Sequence, residues 1–212
     1  WLPEISMYWH SRAEAKSPDL FATFGAAALS SPECSARYAM PDAGWNLFGA
    51  LARPRSRGTV ELTGPNPEDP VRLNTNYLSH PDDLRAAKQC IEMLREIGNS
   101  VEVRPFVKRE VAPGTLSGRE LESYIRQAAM TYWHFSGTAK MGSDSMSVVD
   151  GQLRVHGVSR LRVADASIMP TVTTGNTMAP CVVVGERAAV LLKHGRPWAP
   201  NRAGTADRDD LL

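Results

Sequence analysis

Tyr132-Trp133-His134-Phe135-Ser136-Gly137-Thr138 and Thr174-Gly175-Asn176-Thr177-Met178-Ala179-Pro180 are the two ends of the stretch around which this chain is organised. Between them, Gly157 to Pro170 carries a buried-strand pattern, Leu161 to Ala164, that runs out into Asp165, Ala166 and Ser167. A long apolar segment, Thr177 to Lys193, then reads as a helix, with Pro180 tolerated in its first turn. Strand, loop and helix in that order make an α/β unit, and ligands of open α/β sheets sit beyond the carboxyl ends of strands, where Asp165 lies. A polar side chain at each end and an acid between them read as half of an active site.

His134 stands between aromatics in what reads as a strand and is followed by a small polar turn that admits something flat. A neutral imidazole suits proton abstraction near pH 7, although a histidine in an aromatic strand is more often simply a core residue. Asn176 precedes an apolar helix, the usual place of an N-cap, and its amide could also donate to a substrate oxygen. The free N–H groups at that helix start favour an anionic group before Thr177 and Met178. Without a cofactor, Asp165 would cap a turn. His10 and His156 have no partner pattern and are read as structural.

Upstream, residues 1–78 read as strands and turns, with Glu4–Trp9 and Leu20–Phe24 as strands. Gly58–Thr63 and Val71–Tyr77 alternate around a Gly64-Pro65-Asn66-Pro67 turn, which predicts an antiparallel pair with one wet face. The periodicity of Leu84, Ala87, Ile91, Leu94 and Ile97 predicts a helix over 81–97, capped by Ser79 or His80 and closed by Gly98. Ser117 and Glu120 have the spacing of a capping box, and Leu121, Tyr124, Ile125 and Ala128 form the inner face of a second helix. That helix delivers the chain into His134. Residues 195–212 read as a loose polar tail.

A net charge of +1 removes nucleic acid as a partner, and the one dense basic run, Arg53-Pro54-Arg55-Ser56-Arg57, reads as a solvated turn. Three cysteines, Cys34, Cys90 and Cys181, make no CxxC pair, so reduced thiols in a cytoplasm-like compartment are expected, with Cys181 a small buried residue. The five histidines lack metal spacing, and no apolar run reaches the roughly 18 residues of a membrane span. No G-x-G-x-x-G, P-loop or G-x-S-x-G is present. The first residue is Trp1, so the chain is expected to be a processed piece or part of a longer polypeptide.

Taken together, His134-Phe135-Ser136-Gly137-Thr138-Ala139-Lys140-Met141-Gly142, Val148-Val149-Asp150, Leu153-Arg154-Val155-His156-Gly157-Val158, Leu161–Ser167 with Pro170, and Gly175-Asn176-Thr177 resemble the C-terminal signature of the glucose-methanol-choline (GMC) flavoprotein oxidoreductases. Pro54–Val60 and Asn76-Tyr77-Leu78 with Pro81 resemble substrate-domain strands of the same family. The resemblance implies an α+β fold: an antiparallel-sheet substrate domain with flanking helices over 1–156, and the last strand and helix of a Rossmann-like FAD domain over 157–194. It also implies an N-terminal FAD-binding half, on a separate chain or a missing segment, that carries the adenine and pyrophosphate site.

Carried over from the family, His134 is the catalytic base and Asn176 the second catalytic position. Trp133, Asp165, Ala166, Thr177 and Met178 are the flavin-binding residues. The implied function is that of the C-terminal part of an FAD-dependent alcohol oxidase or dehydrogenase, with hydride passing from an alcohol to the flavin. Two alternatives stand beside it: a non-redox lyase resembling the hydroxynitrile lyases on the same scaffold, and a non-catalytic partner fragment.

Overall fold

The computed structural model describes residues 5–28 and 30–194. Glu4 and the expected tail lie outside them. Three antiparallel strands, β1 (Ile5–Trp9), β2 (Leu20–Gly25) and β3 (Asn46–Leu51), form a sheet in the order β1-β2-β3. The central strand carries the burial: Leu20, Phe21, Ala22 and Thr23 are all inside. A six-residue helix, α1 (Pro32–Arg37), interrupts the region read as strands and turns. Its start is fixed by Ser31, whose hydroxyl accepts from the Cys34 amide at 3.1 Å, and by Pro32 in the first turn.

Helix α2 (Pro81–Gly98) packs on the sheet across β3. The approach is close enough that a Cβ on Gly49 would sit 2.5 Å from Cys90 Sγ, so only glycine fits there. As expected, His80 caps α2: its Nδ1 accepts from the Asp82 amide at 3.1 Å. Helix α3 (Gly118–Ala128) lies against α2, and Leu78, Leu121 and Ile125 form a core between them with Leu84, Ala87, Ile91 and Tyr124. Ser117 precedes α3 but makes no capping bond, because Gly118 at φ +52 breaks the helical geometry that the box needs.

The hairpin of β4 (Thr59–Glu61) and β5 (Arg72–Asn74) pairs Val60 with Leu73 in the expected antiparallel sense. Both faces are exposed, however, and not one alone, since Val60, Leu62, Val71 and Leu73 meet no covering layer among the described residues. Leu161–Ala164 does not form the expected strand either. It makes one bridge, Arg154 to Arg162, because only residues 153–155 run beside it, through Val155 N to Leu161 O and Val163 N to Leu153 O.

Helix α4 (Met178–His194) matches the expected helix to within a residue. Ala188 and Leu191 pack with Val149, Leu153 and Ile168 into a second core, and the expected boundary at 156/157 runs through it. Elsewhere on α4 four large apolar side chains are uncovered among the described residues: Val182, Val183, Val190 and Leu192 are exposed. Among the described residues no helix is long and apolar enough to cross a membrane.

Candidate active site

After α3 ends at Ala128, the chain enters a loop, not the aromatic strand expected at Tyr132–Phe135. The Trp133 amide donates to Thr131 Oγ1 at 2.9 Å, and Trp133 takes φ +60, which breaks the extended backbone a strand needs. Tyr132, 37% exposed, keeps a ring contact with Phe21, whereas Trp133 is 71% exposed. A regular strand would have sent the rings to alternate faces of a sheet that is absent here.

His134 is half-buried, and its Nδ1 lies 3.0 Å from Thr177 Oγ1. The Tyr132 ring stands edge-on to the imidazole at 5.1 Å, Phe21 packs on Tyr132 at 5.4 Å, and Tyr8 on Phe21 at 5.0 Å. Burial, and then the neighbouring Tyr8, push the Tyr132 phenol above its ordinary pKa. A row of rings therefore couples the imidazole to strands β1 and β2.

Three loops converge here. Residues 137–141 dock on 166–168 through Gly137 N to Ala166 O at 3.4 Å, Ala139 N to Ser167 O at 2.9 Å and Met141 N to Ile168 O at 2.7 Å. Gly137, at φ +89, would put a Cβ 3.2 Å from Met169 O, so the approach needs glycine. Asp165 Oδ1 accepts from Ser167 N at 2.8 Å and caps the short 3-10 turn Ala166–Ile168. The third loop is tied to the sheet by Thr174 Oγ1 donating to Pro18 O at 3.1 Å, and Gly175 at φ +94 packs against the Tyr8 hydroxyl.

Of the residues singled out by sequence, His134 and Thr177 meet directly. Thr177, not Asn176, takes the cap position of α4: its carbonyl accepts from Cys181 N at 3.0 Å. Asn176 is exposed one residue earlier, and its side chain makes no hydrogen bond among the described residues. Met178 opens the helix 73% exposed, and Cys181 is half-buried, not buried. His156 Nε2 lies 3.0 Å from Gly142 O. Tyr8 and Phe21 were not picked out by sequence. Their aromatic, alternating strand pattern says only that they face a core. Among the described residues no three His, Cys, Asp or Glu side chains gather as a metal site.

This arrangement can hold a flat ligand. Trp133 and Met178, next in sequence to the tethered His134 and Thr177, offer exposed apolar surface, and the first-turn amides of α4 provide donors and a partial positive charge.

A family model described as GMC oxidoreductase matches residues 54–185. The chain is 36% identical over 196 residues to an oxygen-dependent choline dehydrogenase of Klebsiella pneumoniae (strain 342), covering 92% of this chain and 35% of that protein. It is 40% identical over 152 residues to one from Pseudomonas fluorescens, covering 71% of this chain and 27% of the relative. Among solved structures, pyridoxine 4-oxidase from Mesorbium loti superposes with a TM-score of 0.82 at 30% identity, over 91% of this chain and 38% of its own. A fungal aryl-alcohol oxidase superposes with a TM-score of 0.69 at 28% identity, over 83% and 28% respectively. The chain thus spans about a third of the length of these relatives. With the matched region running from the Arg-rich turn through both ends of the site, the chain belongs to the GMC oxidoreductase family.

Proposed function

We propose that this chain forms the substrate-side part of an FAD-dependent alcohol oxidase or dehydrogenase, with His134 as proton acceptor and Asn176 as hydrogen-bond donor to the alcohol oxygen. The observation that carries this reading is the 3.0 Å contact between His134 Nδ1 and Thr177 Oγ1. It joins two segments distant in sequence and leaves the second ring nitrogen unbonded among the described residues. When Nδ1–H donates to the threonine, Nε2 carries the lone pair and can take the hydroxyl proton. Exposed Asn176, one residue away, has its amide free to donate to the oxygen as negative charge grows there.

The residues present fit a flavin. Trp133, Met178, the α4 N-terminus and the Asp165–Ala166 turn would hold it. When bound, it supplies a two-electron acceptor for the hydride of the alcohol carbon. The N-terminal FAD-binding half is the partner that this reading requires, and the exposed apolar side chains Val182, Val183, Val190 and Leu192 of α4 are a surface suited to receive it.

The test is anaerobic stopped-flow reduction of the flavin-loaded, full-length protein by choline, benzyl alcohol and pyridoxine. The His134→Ala variant is expected to lose about 100-fold or more in the limiting rate. Unchanged reduction would end its role as base. Asn176→Ala should slow reduction with flavin still bound. Cyanohydrin cleavage without bleaching by any alcohol would favour a lyase instead.

A further inference from the structure

The turn Arg53-Pro54-Arg55-Ser56-Arg57 plays no part in the proposed reaction, yet it forms one wall of a cavity of about 380 Å³. The connection between β1 and β2 supplies a second wall with Arg12, Lys16 and Asp19, and the start of α2 together with Thr171 completes it. Six cationic side chains and three carboxylates line this space.

All three carboxylates are already engaged. Asp19 accepts from the Ser11 amide at 2.6 Å and its hydroxyl at 2.5 Å. Asp82 pairs with Arg55 at 2.6 Å and with Arg85. Buried Asp83 accepts from the Arg55 amide at 2.8 Å, the Ser56 amide at 2.7 Å and the Ser56 hydroxyl at 2.6 Å. Four cations are left without a carboxylate among the described residues. Arg53 donates to Ser17 Oγ at 2.7 Å, Arg57 to the carbonyls of Pro54 and Ser56, and the side chains of Arg12 and Lys16 to nothing.

Converging like charges repel, and a concave wall of low polarisability concentrates their field. This excess is local, for the whole chain carries only +1. We propose that the cavity is a binding site for a small, multiply charged oxyanion, a phosphate-bearing or polycarboxylate molecule. Guanidinium forks match the geometry of both, and the volume lies in the range of small-molecule sites. The walls are preorganised, since Asp19 and Asp83 spend their hydrogen bonds holding the two cation-bearing loops. None of the lining residues belongs to 132–138 or 174–178.

Isothermal titration of the full-length protein with inorganic phosphate and with citrate, at ionic strength held constant with sodium chloride, tests this. Saturable binding with a dissociation constant of about 1 mM or tighter is expected for at least one anion. The Arg12→Gln/Lys16→Gln double variant, its melting temperature retained, should bind about tenfold more weakly. The Lys108→Gln/Arg109→Gln variant, which removes the same charge from exposed residues outside the cavity, should bind within about twofold of the parent. Phosphate binding more tightly identifies a phosphate-bearing ligand, and citrate a polycarboxylate. Absence of saturable heat with both anions, or equal weakening in the two double variants, would overturn the site.

Discussion

Thr177→Val is the sharpest probe of the proposed chemistry, because the two side chains have nearly the same shape and only the hydroxyl is lost. Thr177 is 8% exposed, so its methyl stays packed while His134 Nδ1 loses the group 3.0 Å away. Such a neutral hydrogen bond is worth about 0.5–1.5 kcal/mol, and its loss leaves an N–H in a half-buried site. If the bond holds the imidazole in the base-competent tautomer, that free energy appears in the barrier as about a 2- to 13-fold fall in limiting rate. Anaerobic stopped-flow reduction of the flavin-loaded, full-length protein measures it. Thr177→Ser, which keeps the hydroxyl and drops the methyl, should return to within about twofold of the parent. If the valine variant reduces at the parent rate while His134→Ala does not, the contact has no part in holding the base. If the serine variant is as slow as the valine one, the role of Thr177 is packing.

Asp83→Ala removes the acceptor of three hydrogen bonds from the Arg55–Ser56 turn. A loss of about 3 kcal/mol in denaturant unfolding is expected, with Asp83→Asn losing less. Gly49→Ala drives a Cβ to 2.5 Å from Cys90 Sγ and should cost about 1–3 kcal/mol, partly recovered in the Gly49→Ala/Cys90→Ala pair. Burial pushes the Cys90 thiol up to about 11 from 9.0, so the native state holds this proton more tightly than the unfolded chain does. Its contribution to stability is complete below pH 9 and is lost as pH rises towards 11, as urea midpoints will register. Iodoacetamide at pH 8 should leave Cys90 unmodified in native protein by peptide mass spectrometry.

The parts of this molecule written in local sequence were those whose physics is local. Proline at the first turn and His80 before it announce α2, and the three-and-four spacing of Leu84, Ala87 and Ile91 assigns its inner face. The apolar run after Thr177 announces α4 in the same way. Elements that depend on neighbours were less legible. Leu161–Ala164 has the composition of a strand, but pairing requires a flanking ladder, and only one bridge forms. The two-residue period of the β4–β5 hairpin predicts an apolar face correctly, yet burial of that face needs a covering layer that no period encodes.

What the sequence determined by itself was the family motif, and with it the identity of the imidazole and carboxamide worth watching. Tertiary structure decided how they are held. Thr177 reaches His134 where residues 137–141 dock on 166–168 and where Gly137 and Gly175, both at positive φ, pass close to Met169 O and the Tyr8 hydroxyl. Tyr8 and Phe21 join the site through ring contacts across strands, and the cations around the Arg-rich turn converge only when Asp19 and Asp83 fix their loops. Side-chain chemistry is a property of the residue and can be read along the chain, whereas a hydrogen bond or a field depends on distances that only folding sets.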